Sequence, residues 1–507
     1  MQRSILEGFG AILSGKVVTL MIGVITTPIL YRLLGPSSYG VYAFLLSTFA
    51  LYMIFVSSGV TEGVRKFLAE DRDRPDWERR VVGFYLRLAF VLGVVGAGLI
   101  VVATRTGLVA RYAGPEFAPY FYLLAAMVLL AQFRAVNRRT LMGFGLERYS
   151  EPIKAGNRIL FVCLAIPLVY VGYGVTGVLV GTIVANAVVV VAGIALVHRE
   201  LSVTRAVRSS ADGLPWRSLM SFNTLSIVLV LLMMSLYHVD ILLLQWFTDS
   251  TSVGHYKAAL QMAEFLWFVP LAIQMVFVQS MSNLWSNDRV ARVTKVTSVS
   301  TRYTFLLTAV MALGLAALAD VVVPLYYGPQ AEPAVTPLLI LLPGALGFAL
   351  ARPILAASQG KGDLAAPIAA TGVAAGLNLG LNLLLIPRYG MVGAAAATSV
   401  GYGAMFLFHV ASARHLGFDP LADARLARIA VTVALAAVPI LAFPTVIGDP
   451  AALVVVPPVG LAAFLACAFG TGALDRGEVR ELLRSTPLAP YLAAVERRLA
   501  TDGGYDE

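Results

Sequence analysis

The chain has 507 residues, of which 58% are hydrophobic and only 13% are charged. Soluble domains carry about twice that charged fraction, and the mean hydropathy of +0.80 excludes both a water-soluble globular protein and a disordered chain. Lysines and arginines (38) outnumber aspartates and glutamates (29), but no soluble domain is left to display a nucleic-acid-binding patch, so we expect no nucleic-acid partner. Cys163 and Cys467 lie in separate apolar runs, and we expect neither a disulfide framework nor a metal site.

Apolar stretches of about 20 residues predict membrane-spanning helices, and the chain contains fourteen candidates. In chain order they are 8–32, 39–60, 81–104, 117–137, 155–171, 175–197, 219–246, 253–280, 302–323, 335–357, 364–386, 391–413, 427–446 and 451–472. The fourth carries Arg134 and the eighth carries Lys257 and Glu264, which makes these two the weakest candidates. The predicted fold class is an all-α integral membrane protein with about fourteen transmembrane helices.

The loops between these spans alternate in charge. Lysines and arginines concentrate in the even-numbered loops, such as 61–80 and 199–217. The odd-numbered loops hold only Arg105, Arg111 and Arg388, with Arg32 at a span end on the same side. The positive-inside rule therefore places the even-numbered loops and both termini in the cytoplasm. We expect a multi-pass protein of the cytoplasmic membrane with a cytoplasmic tail at 473–507.

Glycines recur in corresponding loops with a period of about 215 residues, which indicates an internal repeat. The matching pairs are Gly40 with Gly254, Gly114 with Gly328, Gly145 with Gly360, and Gly174 with Gly390. A period of six helices is even, so both halves enter the membrane from the same side as parallel repeats. The predicted organisation is a six-helix lobe at 1–217, a second six-helix lobe at 218–415, two further helices at 416–472 and the tail. Chance recurrence of glycine in short turns is the alternative.

Three stretches of the chain resemble the polysaccharide and oligosaccharide flippases (Wzx-like) of the multidrug/oligosaccharidyl-lipid/polysaccharide exporter superfamily. LGPSSYGVYAFLLS (34–47) resembles the loop between their first two helices, and VDILLLQWFTDSTSVGHYKAAL (239–260) resembles the start of their second half. LNLLLIPRYGMVGAAAATSVGY (381–402) resembles their eleventh and twelfth helices. The resemblance implies a flippase that moves a lipid-linked sugar from the cytoplasmic to the outer leaflet by alternating access, for surface polysaccharide or glycoprotein synthesis.

Ionisable residues inside spans are costly and normally face a cavity where they have a function. The candidate substrate-binding cations are Lys16, Arg87, Arg134, Arg158, Lys257 and Arg352. We expect Lys16, Lys257 and Arg352 to share a central cavity that holds an anionic headgroup, with Asp240 or Glu264 tempering the charge or coupling an ion. Arg138 and Lys154 lie near cytoplasmic span ends, where snorkelling to lipid phosphates is an equally good explanation. A structural ion pair of Lys257 with Glu264 or Asp240 competes with the cavity hypothesis.

The expected partners follow from this reading. They are a lipid-linked sugar carrying a phosphate or diphosphate, membrane lipids, H⁺ or Na⁺ as a coupling ion, and the glycosyltransferases and the polymerase or oligosaccharyltransferase of the same pathway. No nucleotide-binding or hydrolase motif is found in the sequence, so we expect neither a cofactor nor enzymatic activity.

Two other functions remain open at this stage. A cation-coupled drug or metabolite antiporter of the same superfamily is the near alternative, although its usual acidic site contrasts with the net basic interior predicted here. A membrane glycosyltransferase or sugar polymerase is the distant one. Its only support is Asp71-Arg72-Asp73, which is more simply a solvated charge run.

Overall fold

A computed structural model describes residues 2–69, 76–209, 224–444, 449–475 and 477–478. Within these ranges the protein is helical and contains no β-strand. The longer helices are α1 (Gln2–Ala69), α2 (Trp77–Arg105), α4 (Ala118–Gly143), α5 (Glu147–Leu168), α6 (Gly174–Glu200), α8 (Thr224–Phe247), α9 (Ser250–Ala263), α10 (Phe268–Ser286), α11 (Val290–Ala317), α13 (Val335–Lys361), α14 (Ala365–His415), α15 (Leu426–Ala442) and α16 (Asp449–Gly470). Short helices are α3 (Leu108–Tyr112), α7 (Val203–Arg208), α12 (Ala319–Tyr327), the 3₁₀ turns Pro115–Phe117, Glu264–Trp267 and Pro329–Ala334, and the π-helical turn Val169–Tyr173.

Ten helical segments of the described chain are long and apolar enough to cross a membrane, and Leu426–Ala442 is a shorter apolar helix. Three of the ten, Thr19–Ser57, Arg148–Glu200 and Ala365–His415, each contain two predicted spans. The charged fourth and eighth spans lie in Pro115–Gly143 and Ser250–Ser286, which both qualify. Within the described residues each of the fourteen predicted spans therefore overlaps an apolar helix, and the all-α membrane fold is confirmed.

The joined spans bend at glycines. Gly35 interrupts α1 with φ 72° and ψ 167°, and Pro36 follows it. Proline lacks an N–H and disfavours helical geometry in the residue before it, so the helix breaks at this dipeptide. Gly390 also interrupts α14 at a positive φ, with φ 54° and ψ −131°, but no proline follows it.

The chain divides into two compact units. The first comprises residues 1–265, 323–347 and 363–409, and the second comprises 266–322, 348–362 and 410–507. These limits do not follow the predicted lobe boundaries at 217/218 and 415/416, which remain a prediction.

In the first unit, the apolar core lies between helices and large apolar side chains also cover the outer surface. Val81, Tyr85 and Val136 are fully buried between α2 and α4, whereas Phe55 is 73% exposed and Tyr170 is 78% exposed. Such a surface is stable only in lipid. The outward-facing apolar residues therefore agree with a membrane protein.

In the second unit, a buried arginine ties α11 to the C-terminal region. The guanidinium of Arg302 is fully buried and pairs with Asp423 at 3.4 Å and with Glu478. Arg425 reaches the same Glu478 at 3.3 Å and donates to the carbonyl of Gly472. Most of the predicted tail, 473–507, lies outside the described residues.

Candidate functional site

A cluster of cations lies at the even-loop end of α4 and α5 in the first unit. Arg134 and Arg138 are four residues apart on α4, and Lys154 and Arg158 are four residues apart on α5. Four-residue spacing places each pair on one helix face. Lys154 interacts electrostatically with both Arg134 and Arg138, so the two faces meet. We call Arg134, Arg138, Lys154 and Arg158 the basic cluster.

Among the described side chains, one carboxylate opposes this positive charge. Glu151 is only 2% exposed and accepts a hydrogen bond of 2.6 Å from Nη2 of Arg138. Its Oε2, and the Nε atoms of Arg134, Arg138 and Arg158, are buried without a hydrogen-bond partner among the described residues. The basic cluster therefore keeps both a surplus of positive charge and unused donors, which suits an anion.

Two amides extend the basic cluster toward α6. Nη1 of Arg134 donates to Oδ1 of Asn157 at 3.3 Å, and Nδ2 of Asn157 donates to Oδ1 of the buried Asn186 at 3.1 Å. The guanidinium of Arg158 lies 5.2 Å from the ring centroid of Phe161. This chain of contacts orients Arg134 and presents amide groups beside the cations.

On the eighth predicted span, Gln261 of α9 faces α1. Gln261 accepts a hydrogen bond from Tyr39 and donates one to Thr27, each at 3.0 Å. Lys257 and Glu264 form an ion pair of 3.6 Å, with 20% and 30% of their side chains exposed. The structure thus contains the Lys257–Glu264 pair that the sequence suggested as the structural alternative.

Asp240 is completely buried on α8. Its Oδ1 accepts the backbone N–H of Ile241 at 2.8 Å, and its Oδ2 accepts hydrogen bonds from Tyr256 and, at 3.2 Å, from Thr398. Asn378 donates to Thr398 at 3.4 Å. Hydroxyl and amide groups from α9 and α14, rather than a salt bridge, therefore surround this carboxylate among the described residues.

A buried amide oxygen lies next to this group. Asn382 donates through Nδ2 to the side chain of Asn378 at 3.2 Å, while its own Oδ1 is buried with no partner in the described chain. Lys257 and Asp240 interact electrostatically without forming an ion pair. A buried carboxylate among neutral oxygen atoms is chemically suited to a proton or a hard monovalent cation.

Arg352 lies on the part of α13 that belongs to the second unit, and only 4% of its surface is exposed. Its Nη1 donates to Oε1 of Gln274 at 3.3 Å, and its guanidinium lies 3.9 Å from the ring centroid of Phe348. Gln274 in turn donates to Gln359 at 3.2 Å. The charge is thus held by a cation–π contact and an amide.

Two predicted cations remain, Arg87 and Lys16, and only the first has a described side chain. Nη1 of Arg87 donates to the backbone carbonyls of Val207 at 3.3 Å and Ser209 at 2.7 Å, so this arginine fixes the segment after α7. The side chain of Lys16 lies outside the described part of the structure. The cavity predicted to join Lys16, Lys257 and Arg352 stays a prediction.

Two further features of the sequence bear on metal binding. Asp71-Arg72-Asp73 lies outside the described residues. Within the described ranges no group of three or more histidines, cysteines, aspartates or glutamates is placed to hold a metal ion.

Sequence reasoning missed the parts of these sites that require two helices. From the sequence alone, snorkelling explains Arg138 and Lys154 equally well, yet in the structure they join Arg134 in one cluster. The available signal was the repeated four-residue spacing on consecutive helices. No sequence signal pointed to Thr398 as a partner of Asp240.

Comparison with known proteins gives concordant results. The sequence model of the family described as polysaccharide biosynthesis protein matches residues 29–336, which is more than half of the chain. The probable low-salt glycan biosynthesis flippase Agl15 of Haloferax volcanii is 22% identical over 381 residues, covering 75% of this chain and 77% of that protein. The uncharacterized membrane protein MJ1068 of Methanocaldococcus jannaschii is 25% identical over 181 residues, and the match spans only 34% of either chain.

Solved structures share the fold. The lipid II flippase MurJ in an inward closed conformation superposes with a TM-score of 0.72 at 13% identity, covering 91% of this chain and 98% of MurJ. An inward-facing multidrug resistance transporter of the MATE family gives a TM-score of 0.68 at 17% identity, covering 78% of this chain and 95% of the transporter. The chain therefore belongs to the family described as polysaccharide biosynthesis protein.

Proposed function

We propose that this protein moves a lipid-linked sugar, carried on a polyprenyl or dolichyl phosphate or diphosphate, across the membrane by alternating access. The observation that carries this proposal is the basic cluster. Arg138 pairs with the buried carboxylate Glu151, Lys154 and Arg134 lie beside this pair, and buried nitrogen atoms of Arg134 and Arg138 have no partner in the described chain. Arginine binds phosphate oxygens through paired N–H donors, so the cluster is the entry site for the phosphate group.

The surrounding groups suit the sugar and its release. Asn157 and Asn186 place amides beside Arg134, where they would bind sugar hydroxyls. Where several dispersed cations share one anion, each contact is of moderate strength. This suits a carrier, because a carrier must release its ligand. We assign Lys257 and Arg352, together with Lys16, to later steps of headgroup transit, and this assignment rests on the cost of cations in a membrane.

Ion coupling is the second part of the proposal. Asp240 is buried among the oxygen atoms of Tyr256 and Thr398 and close to Asn378. Binding of H⁺ or Na⁺ there would neutralise the carboxylate and change its hydrogen bonds to α9 and α14. Coupling of this change to headgroup movement would supply the driving force for transport. In this scheme Glu264 only balances the charge of Lys257.

The orientation and the pathway complete the proposal. Positive even-numbered loops place both termini in the cytoplasm of a cell membrane, so transport runs from the even-loop side to the odd-loop side. The substrate then comes from glycosyltransferases and passes to a polymerase or oligosaccharyltransferase. The names of the relatives Agl15 and MurJ, a glycan biosynthesis flippase and a lipid II flippase, support this substrate class.

A cation-coupled drug antiporter is the second candidate, and the buried Asp240 together with the MATE-like fold favours it. The surplus of positive charge in the basic cluster opposes it, because such a site repels cationic drugs. One transport assay with an anionic and a cationic substrate separates the two functions.

The test uses proteoliposomes that contain a fluorescent isoprenyl diphosphate-linked N-acetylglucosamine. Dithionite added outside quenches only the outer leaflet, so translocation is the loss of protected fluorescence over time. We expect Arg134→Gln and Arg138→Gln to slow translocation by about tenfold or more. The control is Arg148→Gln, which removes the same charge from an exposed side chain in the first turn of α5.

The outcomes are distinct. Normal translocation by both cluster variants would overturn the basic cluster as the phosphate site. Absence of translocation by the wild type, combined with ion-driven uptake of a cationic dye, would instead establish the antiporter.

A further inference from the structure

Two apolar cavities lie side by side in the first unit. One of about 350 Å³ is lined by Phe44, Ala103, Tyr112, Phe121, Leu242 and Trp246. The second, of about 370 Å³, continues past Phe49, Tyr52, Leu99 and Leu124. Thr48, Ala103 and Phe121 line both. We call the pair of cavities the apolar groove, and each is large enough for part of a small ligand.

The apolar groove opens toward lipid. Leu99, Tyr112 and Trp246 are 58%, 58% and 64% exposed on the outer surface. The rings of Tyr112 and Trp246 meet edge to face with centroids 6.4 Å apart. Tyrosine and tryptophan concentrate where the bilayer meets water, so this end of the groove lies at the membrane interface and the other end lies in the hydrocarbon region.

The groove also lies where the two sequence repeats meet. Leu242 and Trp246 come from α8, the first helix of the second repeat, whereas Phe44, Ala103 and Phe121 come from the first repeat. A lipid-linked substrate must keep its hydrocarbon chain in the bilayer while its headgroup moves between the repeats. The junction of the repeats is therefore where that chain has to leave the protein.

The side chains that line the apolar groove suit the hydrocarbon chain of the substrate and not its headgroup. None of the described residues that line the two cavities carries a charge. Aromatic rings supply much of the surface, through Phe44, Phe49, Phe121 and Trp246. Flat aromatic faces next to the small Ala103 leave room for the methyl branches of an isoprenoid chain.

Position along α4 separates the groove from the basic cluster. Phe121 and Arg138 are 17 residues apart on this one helix, which corresponds to about 25 Å at 1.5 Å per residue. The hydrocarbon core of a bilayer is about 30 Å thick. The groove and the basic cluster therefore serve opposite leaflets.

We propose that the apolar groove binds the isoprenoid chain of the lipid-linked sugar in the leaflet on the odd-loop side, after the headgroup has left the basic cluster. This inference rests on the proposed function and adds a product-side site to it.

The test is photolabelling in nanodiscs with a polyprenyl phosphate that carries a diazirine in its isoprenoid chain. We expect labelled peptides to contain Phe44 and Phe121. Ala103→Phe, which adds a ring at a position lining both cavities, and Trp246→Ala, which removes a 64% exposed wall of the groove, should each lower labelling by about fivefold. The control is Val95→Phe, which adds the same ring at a 52% exposed position on α2 outside the groove.

Competition identifies the occupant. Excess unlabelled polyprenyl phosphate should remove the label, and an equal excess of dioleoylphosphatidylglycerol should not. Equal competition by both lipids would show an ordinary lipid site and overturn the inference, as would full labelling of both groove variants.

Translocation by the same variants separates the two proposals. If wild type moves the fluorescent substrate and the groove is never labelled, the inference fails and the proposed function stands. If wild type moves no lipid-linked sugar, the proposed function itself fails.

Discussion

Gly40 of α1 and Gly254 of α9 lie against each other at a crossing where neither can carry a side chain. A methyl carbon on Gly40 would overlap the carbonyl oxygen of Ser250, and one on Gly254 would overlap the carbonyl oxygen of Pro36. The two glycines are equivalent in the sequence repeat, and so are Pro36 and Ser250. The contact is therefore reciprocal, as across a two-fold axis.

Replacing either glycine should separate α1 from α9. We expect Gly40→Ala and Gly254→Ala each to lower the free energy of unfolding by about 1–3 kcal/mol, because the obstructing atoms belong to backbone. Thermal unfolding followed by intrinsic fluorescence and the translocation assay measure the effect.

Gly314→Ala is the matched control, since nothing lies within 4 Å of a methyl carbon at that helical position. It should leave stability unchanged or improve it, because alanine is the better helix former. Wild-type stability and translocation in both crossing variants would contradict the importance of this contact.

The other glycine pairs show how far the repeat could be predicted. Gly174 and Gly390 share one backbone conformation, with φ 52° and 54° and ψ −135° and −131°. Gly114 and Gly328 agree equally well, with φ 116° and 105°. Gly145 has φ 71°, but Gly360 is helical, and the left-handed conformation occurs at Gly362. Short sequence matches locate a turn but cannot decide between two nearby glycines.

The sites were less predictable than the spans, for a physical reason. Bilayer thickness fixes the length of an apolar helix, so hydropathy alone locates the spans. The side to which a side chain points depends on the neighbouring helices. Arg138 near a span end could reach lipid phosphates or another helix, and only packing shows that it binds Glu151. The contact of Asp240 with Thr398 joins residues on helices that no local pattern relates.

The orientation can be tested by cysteine labelling in a background without Cys163 and Cys467. Thr204 lies in an even-numbered loop and Glu332 in an odd-numbered one, and both are exposed. Positive-inside orientation predicts that an impermeant maleimide labels Glu332→Cys in intact cells and labels Thr204→Cys only after permeabilisation. The reverse pattern would invert the direction of transport proposed here.

Asp249 caps the N-terminus of α9, five residues before the crossing glycine Gly254. Its Oδ1 accepts backbone N–H groups of Thr251 at 2.7 Å and Ser252 at 3.0 Å. Partial burial opposes ionisation, but these hydrogen bonds and that from the Ser252 hydroxyl outweigh it and hold the pKa of Asp249 below its usual value. The carboxylate therefore stabilises the fold above the unfolded pKa of about 3.9.

This contribution should disappear as the pH falls through the lowered folded-state pKa. Asp249→Ala removes the cap and should lower stability by about 1 kcal/mol at neutral pH. Asp249→Asn keeps a side-chain oxygen that accepts the capping hydrogen bonds, so it should retain most of the cap. Because asparagine does not titrate, the variant should lose only the part of the acid-induced destabilisation that comes from Asp249. Melting curves between pH 3 and 7, roughly the range across which this carboxyl titrates, measure both effects; identical pH profiles for wild type and Asp249→Asn would contradict the assignment.

Translocation should depend differently on the charge of Arg352 and on the planar shape of its side chain. Arg352→Lys retains a cation that can contact the Phe348 ring but loses the planar guanidinium that donates to Gln274. We expect Arg352→Lys to keep measurable translocation and Arg352→Ala to lose it by about tenfold or more. Fluorescence-detected size-exclusion chromatography checks that both variants fold, and equal translocation by the two would exclude a role for the charge.

Variants of Lys257 and Glu264 distinguish a structural ion pair from a contact with the substrate. Their 3.6 Å pair is partly exposed, and pairs of this kind contribute only about 0–1 kcal/mol to stability. Lys257→Met alone leaves Glu264 without its partner, whereas Lys257→Met with Glu264→Met removes both charges and keeps apolar volume. We expect the double variant to fold with nearly wild-type stability and still to translocate poorly, because the headgroup has lost a cation. Full translocation by the double variant, together with poor expression of either single variant, would show that the pair is structural and remove Lys257 from the transport path.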